Sequence, residues 1–373
     1  MSGTSSDGVD AALVSFNGNP EKPTWSLLNF ISIEYPSELR KCIIAVGQGK
    51  KLNASEFLEL SEEITEFHAN VAISCDPKGL ASLIGCHGQT IYHRPPVGDK
   101  RGMSWQMLQA PLLAILVNRS VVYDFRSKDL ALGGQGAPLV PLTDAALIGR
   151  GLGWRAILNL GGIANISLIP PKNGPCQTSS ILGWDSGPAN TLIDLAVQKI
   201  SNGQLNYDRD GRMATKGKPN LKLINAWLQE PFFQKRPPKS TGREQFGLLD
   251  LECRLEEMGN DITDDFIATL TAFSAAVIAQ DFNHIYQEKS IKPLELFVAG
   301  GGAKNPFFFN EIVRRCKGMR VCSIQELGIP VQAREAISFA LLAWWNLLNK
   351  SGSSKETTGI ERVAILGTKV NPY

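Results

Sequence analysis

The length of 373 residues favours two domains of ordinary size. The chain is 43% hydrophobic and 20% charged, a composition that excludes a mainly disordered protein. Its 38 basic and 36 acidic residues leave a net charge of +2 without a basic stripe, so neither nucleic acid nor a membrane surface is expected as a partner. The longest apolar run, near residues 339–348, is too short to cross a bilayer.

The seven cysteines are scattered, odd in number and never spaced as C-x-x-C. This usage is typical of reduced thiols in the cytoplasm and argues against a disulfide framework or a structural zinc site. The four histidines form no H-E-x-x-H motif, and the pattern of a secretory leader is not recognised at the chain start. We therefore expect a cytoplasmic protein without a transition-metal site.

In chain order, alternating apolar and polar residues predict a β-hairpin over 9–16 and 25–35, with its turn at 17–20. Apolar residues recurring every three or four positions predict a helix over 56–74. Further along, the predicted strands are 155–160, 163–169, 179–184 and 294–299, and the predicted helices are 191–200, 264–284 and 334–349. This alternation predicts an α/β fold with mixed sheets, and the repeated hairpin predicts two similar halves around a cleft.

Three loops of small residues follow or precede predicted strands, at 2–8, 159–165 and 299–306. The sequence contains neither G-x-x-x-x-G-K-[ST] nor G-x-G-x-x-G after a strand, which argues against a P-loop or a dinucleotide site. The first two loops offer backbone N–H groups to phosphate oxygens, and the third lets the backbone approach a flat ring. Each loop alone is explained equally well as a tight turn, but the three together favour a nucleotide site.

These loops resemble the two phosphate loops and the adenosine loop of the sugar kinase, actin and heat-shock chaperone ATPase superfamily. More narrowly, the chain resembles the anhydro-N-acetylmuramic acid kinase family across nearly its whole length. The stretches that carry this resemblance are 1–10, 85–93, 124–141, 158–165, 183–190, 238–246 and 299–306. Several of them are long and unusual, and they occur in the same order as in the family.

The resemblance implies two actin-like (ribonuclease H-like) domains with mixed sheets that flank a central nucleotide and sugar cleft. The first domain is expected to span 1–137 plus 338–373, and the second 138–337. The implied activity uses ATP and Mg²⁺ to open the 1,6-anhydro ring of an amino sugar and to phosphorylate O6, in peptidoglycan recycling. Asp7 is the expected Mg²⁺ ligand.

The resemblance also implies roles for individual residues. Asp185 matches the family's catalytic base, and a helix start near Asn190 is expected to favour its ionised form. The expected ATP and phosphate contacts are Gly3, Thr4, Ser5, Ser6, Asp7, Gly8, Val9, Asp10, Asn159, Gly161, Gly162, Asn165, Gly300, Gly301, Gly302 and Asn305. The expected contacts to the sugar are His87, Gln89, Arg126, Gln135, Thr241, Arg243 and Glu335.

Structural explanations compete with several of these roles. Asp185 is also explained as a turn or N-cap residue, and Glu335 as a first-turn acid of a helix. Arg126, which suits the lactyl carboxylate of muramic acid, is also explained by an ion pair with Asp124 or Asp129. His87 is equally consistent with a buried, hydrogen-bonded histidine. The loop with Thr241 and Arg243 is consistent with a solvated charged loop, and the apolar stripe 336–348 with a core or a homodimer face.

Two departures from the family pattern bear on activity. The first phosphate loop begins at Met1, where family members have a short apolar strand; we expect the opening sheet to lose an inner strand and the loop to be tethered from one side. Ser186 and Ala189 stand where threonine and glycine are expected. The alternatives are therefore a non-catalytic or impaired ATP-binding module and a simple hydroxyl-sugar kinase without ring opening.

Overall fold

The computed structural model describes residues 1–3 and 6–373. Thr4 and Ser5, two of the predicted phosphate contacts, lie outside the described residues. The chain divides into two compact units, one formed by Met1–Gly149 with Gln332–Tyr373 and the other by Arg150–Val331. The domains predicted from the sequence, 1–137 plus 338–373 and 138–337, remain a prediction.

The elements follow in chain order. The first part of the chain contains β1 (Gly8–Asn17), β2 (Thr24–Glu34), α1 (Ser37–Gly47), α2 (Ala54–Cys75), β3 (Leu83–Gly85), β4 (Gln89–Arg94), β5 (Met103–Met107), α3 (Ala110–Val117), β6 (Ser120–Tyr123), α4 (Ser127–Ala131) and α5 (Pro141–Ile148). The second unit contains β7 (Arg155–Leu160), β8 (Ile163–Ile169), β9 (Leu182–Pro188), α6 (Asn190–Ile200), α7 (Arg212–Lys216), α8 (Leu221–Trp227), α9 (Pro231–Gln234), α10 (Leu248–Glu257), α11 (Asp264–Lys289), β10 (Glu295–Ala299), α12 (Pro306–Arg315) and β11 (Arg320–Ser323). The last part returns to the first unit with α13 (Arg334–Leu347), α14 (Lys355–Thr358) and β12 (Thr368–Val370).

In the first unit, β1 and β2 form the predicted antiparallel hairpin, and β3, β6 and β12 form a mixed sheet in the order β12-β6-β3. A cavity of about 440 Å³ is lined by residues of β1, β3, α2 and α13. The helix α2 begins at a capping box in which Asn53 and Glu56 satisfy each other's backbone N–H groups. A buried ion pair between Arg334 and Asp144 joins α13 to α5.

The start of the chain is held by hydrogen bonds on both sides. The amino group of Met1 donates to Asp10 O at 2.7 Å, and Asp10 N donates to Met1 O at 2.9 Å. On the other side, Ser2 forms a β-bridge with Gln89, and its hydroxyl donates to Gln89 Oε1 at 2.6 Å. Met1 is thus bonded to β1 and Ser2 to β4, whereas β1 and β2 form a two-stranded sheet of their own; the expected loss of an inner strand stays a prediction.

The second unit is built on a mixed five-stranded sheet with the order β11-β10-β7-β8-β9. β11, β10 and β7 run parallel, whereas β7, β8 and β9 are antiparallel neighbours. The apolar runs of these strands alternate with helices, as the sequence pattern predicts, and the α/β fold class with mixed sheets is confirmed.

The core of the second unit is centred on α11. This helix is long and apolar enough by length and composition to cross a membrane, but 89% of its apolar window is buried inside the protein. Burial all round its circumference explains why its sequence is apolar on every side. It is therefore explained as the core helix of a globular unit.

Candidate functional site

Asp185 lies inside β9, on a strand that is buried along most of its length. Its backbone N–H donates to Lys239 O at 2.9 Å, and its Oδ2 accepts a hydrogen bond from the backbone N–H of Thr241 at 3.1 Å. The side chain is 5% exposed. A carboxylate in this position is held in one orientation by the main chain of the loop that follows α9.

One detail of the sequence expectation for Asp185 needs correction. The residue does not follow its strand, because pairing with β8 extends β9 as far as Pro188. The helix α6 begins at Asn190, as expected, and the first N–H groups bond the preceding loop: Ala189 N and Thr191 N donate to Gly162 O, and Asn190 N donates to Gly161 O. The carboxylate of Asp185 accepts a hydrogen bond from the N–H of Thr241.

Three polar residues form a row across the sheet. Asn159 of β7 pairs directly with Asn165 of β8, and Asn165 pairs directly with Asp185 of β9. Direct partners in antiparallel strands project to the same face. Oδ1 of Asn165 is buried without a hydrogen-bond partner in the described part of the chain. The structure therefore brings two residues predicted to contact ATP beside the predicted base.

The predicted adenosine loop packs against the predicted second phosphate loop. A Cβ on Gly300 would lie 2.7 Å from Oδ1 of Asn159 and from the backbone of Leu160, and a Cβ on Gly302 would lie 2.9 Å from Oδ1 of Asn190. The amide of Asn190 also donates to Leu160 O and Gly161 O. Glycine is thus required at 300 and 302 for close approach of the two loops.

The remaining residues predicted in these loops have distinct surroundings. Gly301 has no atom within 4 Å of its Cβ position among the described residues. Asn305 caps α12, since its Oδ1 accepts from Phe308 N at 3.1 Å. Structural capping therefore accounts for the side chain of Asn305 without a nucleotide.

In the first unit, His87 and Gln89 hold the start of the chain. The amide of Gln89 donates to Gly3 O and to Ser6 Oγ, both at 3.1 Å, and to Thr90 O at 2.9 Å. Nδ1 of His87 contacts Ser2 O at 3.1 Å. These side chains were predicted to bind the sugar, and the structure shows them supporting the first predicted phosphate loop.

The residues of that loop differ in exposure. Val9 is buried in the core of the first unit, and Asp7 is exposed. A Cβ on Gly8 would lie 2.2 Å from Ile33 O, so glycine is needed there for the β1–β2 ladder. Of Asp7, Gly8 and Val9, it is therefore Asp7 that presents a side-chain oxygen to solvent.

Charged groups gather around Arg126 and Glu335. Arg126 donates to His87 Nε2 at 3.1 Å and to Gly136 O at 2.6 Å. Burial raises the pKa of Glu335, with Asp10 acting in the same direction and Arg334 and Arg126 opposing it. The backbone N–H of Gln135, next to Gly136, donates to Thr358 O at 2.7 Å.

The loop that holds Asp185 is not the solvated loop of the structural alternative. Lys239, Ser240 and Thr241 are all buried, and Oγ1 of Thr241 donates to Gln245 Oε1 at 3.0 Å. Arg243 follows in the same loop and is half-buried. Burial of this loop against β9 is what brings Thr241 to Asp185.

Sequence reasoning assigned no role to two buried charged residues near Asp185, namely Asp281 and Lys239. Asp281 of α11 accepts hydrogen bonds from Trp184 Nε1 at 2.9 Å, Ser186 Oγ at 2.5 Å and Lys239 Nζ at 2.8 Å. Ser186 therefore keeps the hydroxyl contact that a threonine would make. Ala189 has φ −113°, so its backbone does not adopt the positive φ that would favour glycine. An acidic residue within the buried part of an apolar helix was the available signal for Asp281.

Comparison with known proteins identifies the family. The chain matches the family model described as anhydro-N-acetylmuramic acid kinase over residues 1–372. An anhydro-N-acetylmuramic acid kinase from Prochlorococcus marinus (strain MIT 9211) is 63% identical over 372 residues, covering 100% of this chain and 98% of the relative. One from Synechococcus sp. (strain CC9902) is 56% identical over 373 residues with the same coverage.

Similarity to solved structures is much weaker. A ROK family glucokinase from Streptomyces griseus, in complex with glucose and AMPPNP, covers 90% of this chain and 99% of its own at 12% identity and a TM-score of 0.35. That likeness adds nothing to the assignment, which rests on the full-length matches of sequence. The chain belongs to the anhydro-N-acetylmuramic acid kinase family, as its motifs predict.

Proposed function

We propose that this chain is an ATP-dependent kinase that opens the anhydro ring of 1,6-anhydro-N-acetylmuramic acid with water and phosphorylates O6. The products are N-acetylmuramic acid 6-phosphate and ADP, and the reaction serves peptidoglycan recycling in the cytoplasm. Family membership supports the reaction. The observation that carries the mechanism is the buried Asp185 carboxylate, fixed by the Thr241 N–H in a row with Asn165 and Asn159.

Asp185 acts as the general base. It accepts a proton from the water that forms a bond to the anomeric carbon, and the bond from that carbon to O6 breaks. The electron pair of the broken bond goes to O6, which forms a bond to the γ-phosphorus as ADP leaves. The phosphoryl group thus takes the place of the acid that protonates the leaving oxygen in an inverting glycosidase.

The loops of small residues bind the nucleotide. Phosphoryl transfer depends mainly on positioning and charge stabilisation, which backbone N–H groups of such loops supply. We propose that Gly161 and Gly162 of the second unit bind the phosphates of ATP and that Gly300–Gly302 bind its adenosine. Asp7 would hold Mg²⁺, which would neutralise charge on the phosphates of ATP. The exposed carboxylate of Asp7 has the hard oxygen donors that this ion prefers.

The sugar is a small carboxylated ligand, and Arg126 suits its lactyl group. The Arg126 guanidinium is already oriented by His87 and Gly136 O. A planar, oriented guanidinium is the usual partner of a carboxylate. The assignment of Gln135, Thr241, Arg243 and Glu335 to sugar binding stays a prediction.

Mass spectrometry of the reaction product tests the proposal. The wild-type chain, Asp185→Asn and the surface control Asp261→Asn are incubated with Mg-ATP and 1,6-anhydro-N-acetylmuramic acid. We expect wild type and control to form a product heavier by one water and one phosphoryl group, and Asp185→Asn to lose at least about 1,000-fold in rate.

The other outcomes distinguish the alternatives. Addition of a phosphoryl group without water would replace the ring-opening reaction by simple hydroxyl phosphorylation. Absence of product, together with ATP binding, would favour a non-catalytic nucleotide-binding module. Full activity of Asp185→Asn would remove Asp185 from the mechanism.

A further inference from the structure

Both chain neighbours of Asp185 are bound by one buried carboxylate. Trp184 and Ser186 donate to Oδ2 of Asp281 at 2.9 and 2.5 Å. Because both neighbours share this one acceptor, Asp281 fixes the strand on either side of Asp185, where the pairing of β9 with β8 is irregular.

The same carboxylate also fixes the loop that contacts Asp185. Nζ of Lys239 lies 2.8 Å from Oδ1 of Asp281, and the two side chains are 3% and 2% exposed. The carbonyl of Lys239 accepts a hydrogen bond from the N–H of Asp185. The N–H of Thr241, two residues after Lys239, donates to Oδ2 of Asp185. Asp281 is thus the common partner of the strand that carries Asp185 and of the loop that orients its carboxylate.

Stability alone gives a weak reason for this arrangement. Removing two charges from water is unfavourable, and a well-packed apolar pair of similar size is often at least as stable as a buried ion pair. A cation–π contact with the Phe232 ring, whose centre lies 5.0 Å from Lys239 Nζ, offsets part of this cost. An apolar pair, however, would not hold strand and loop in one hydrogen-bonded register.

We propose that the Lys239–Asp281 pair is a positioning device that holds the Asp185 carboxylate in the orientation needed to accept a proton. The inference rests on the proposed role of Asp185 as base. Neither Lys239 nor Asp281 is assigned a contact with ATP or sugar; both act through β9 and Thr241. Ser186 belongs to the same device through its hydrogen bond to Asp281.

The test uses variants that avoid leaving one buried charge unpaired. Lys239→Met with Asp281→Asn removes both charges and keeps an acceptor for Trp184 and Ser186. Ser186→Ala removes one hydrogen bond, and Ser186→Thr keeps it. The matched control is Arg254→Met, because Arg254 is also buried and ion-paired in this unit, with Glu230 and Asp250, and lies on α10.

We expect the paired variant to lose about 10- to 100-fold in kcat per folded molecule, with the KM values for ATP and sugar within about twofold of wild type. Ser186→Ala should lose a few-fold in kcat, and Ser186→Thr should recover it. Arg254→Met should lower the melting temperature and keep its kcat. A wild-type kcat in the paired variant, or equal losses of kcat in the Arg254→Met control, would overturn the inference.

A second measurement separates this inference from the proposed function. Amide hydrogen exchange is measured on peptides that contain residues 185 and 241 in wild type and in the paired variant. We expect at least about tenfold faster exchange there than in the control variant, because the loop no longer docks on β9. If the wild type forms no product, the proposed function fails, and hydrogen exchange alone decides whether the Lys239–Asp281 pair holds the loop. Unchanged exchange in the paired variant would show that the pair does not hold the loop.

Discussion

Arg126 donates a hydrogen bond from Nε to Nε2 of His87 at 3.1 Å. Nδ1 of His87 lies 2.9 Å from Gly88 O, a carbonyl that can only accept, so Nδ1 carries the ring proton. Burial, and next the charge of Arg126, hold the pKa of His87 well below its ordinary value. The neutral ring therefore acts as a fixed acceptor that sets the plane of the guanidinium.

This relationship predicts that Arg126 is not replaceable by lysine. Arg126→Lys keeps the charge but loses the planar fork that bonds His87 and Gly136 O. We expect the KM for the anhydro sugar to rise about tenfold, because a lysine cannot present two parallel N–H groups to a carboxylate. Steady-state kinetics with varied sugar at saturating ATP measures this.

Arg119→Lys is the control for that prediction. Arg119 also bonds main-chain carbonyls, those of Ala81 and Gly79, and is not assigned to either ligand. Its replacement should leave the KM for sugar unchanged. An equal rise in both variants would mean that Arg126 acts on the fold and not on the sugar.

Gln89 is predicted to support ATP binding through the loop at the chain start. Gln89→Leu removes the amide that bonds Gly3 O and Ser6 Oγ and the oxygen that accepts from Ser2. Leaving such buried groups unsatisfied should lower the free energy of unfolding by about 2–3 kcal/mol and raise the KM for ATP several-fold. Urea unfolding and kinetics with varied ATP measure the two effects.

Gln106→Leu provides the comparison for Gln89. Gln106 lies in β5, and its amide donates to Ser104 Oγ in the same strand at 2.7 Å. A loss of stability with an unchanged KM for ATP is expected there. If Gln89→Leu behaves in the same way, the first loop does not bind ATP.

Local patterns predicted much of this fold, and long-range pairing explains the rest. The hairpin β1–β2 and the helices α2 and α11 follow from periodicity that is visible in a short window. The position of Asp185 inside β9 depends on pairing with β8, and its contact with Thr241 joins residues far apart in the chain. Family motifs point to Asp185 as the predicted base, but neither motif nor periodicity connects it to Asp281.

The buried histidines make stability depend on pH. Burial lowers the pKa of His68 and of His93 to about 3, whereas the unfolded chain titrates near the ordinary value of 6.5. Their contribution is therefore present above pH 6.5 and is lost as the pH falls, because the unfolded state binds protons that the folded state does not. His68→Gln should reduce the slope of unfolding free energy against pH by about 1.4 kcal/mol per pH unit below pH 6.

Urea unfolding of both proteins at intervals between pH 7 and pH 5 gives the two slopes. The slope is the informative quantity, because His68→Gln also changes the absolute stability by removing the contact with Ile64 O. Parallel slopes for wild type and variant would show that His68 binds a proton in the folded state.

Gly300 and Gly301 offer a pair of neighbouring substitutions with opposite expected effects. Gly300 has φ +83°, and its Cβ would lie 2.7 Å from Oδ1 of Asn159, so Gly300→Ala should lower the free energy of unfolding by about 1–2 kcal/mol. Gly301→Ala meets no described atom within 4 Å and should leave stability nearly unchanged. If the loop binds the adenosine ring, Gly301→Ala should still raise the KM for ATP several-fold, because the new methyl group occupies space next to the ring. Thermal unfolding and kinetics with varied ATP measure both effects, and an unchanged KM in Gly301→Ala would remove this face of the loop from the nucleotide site.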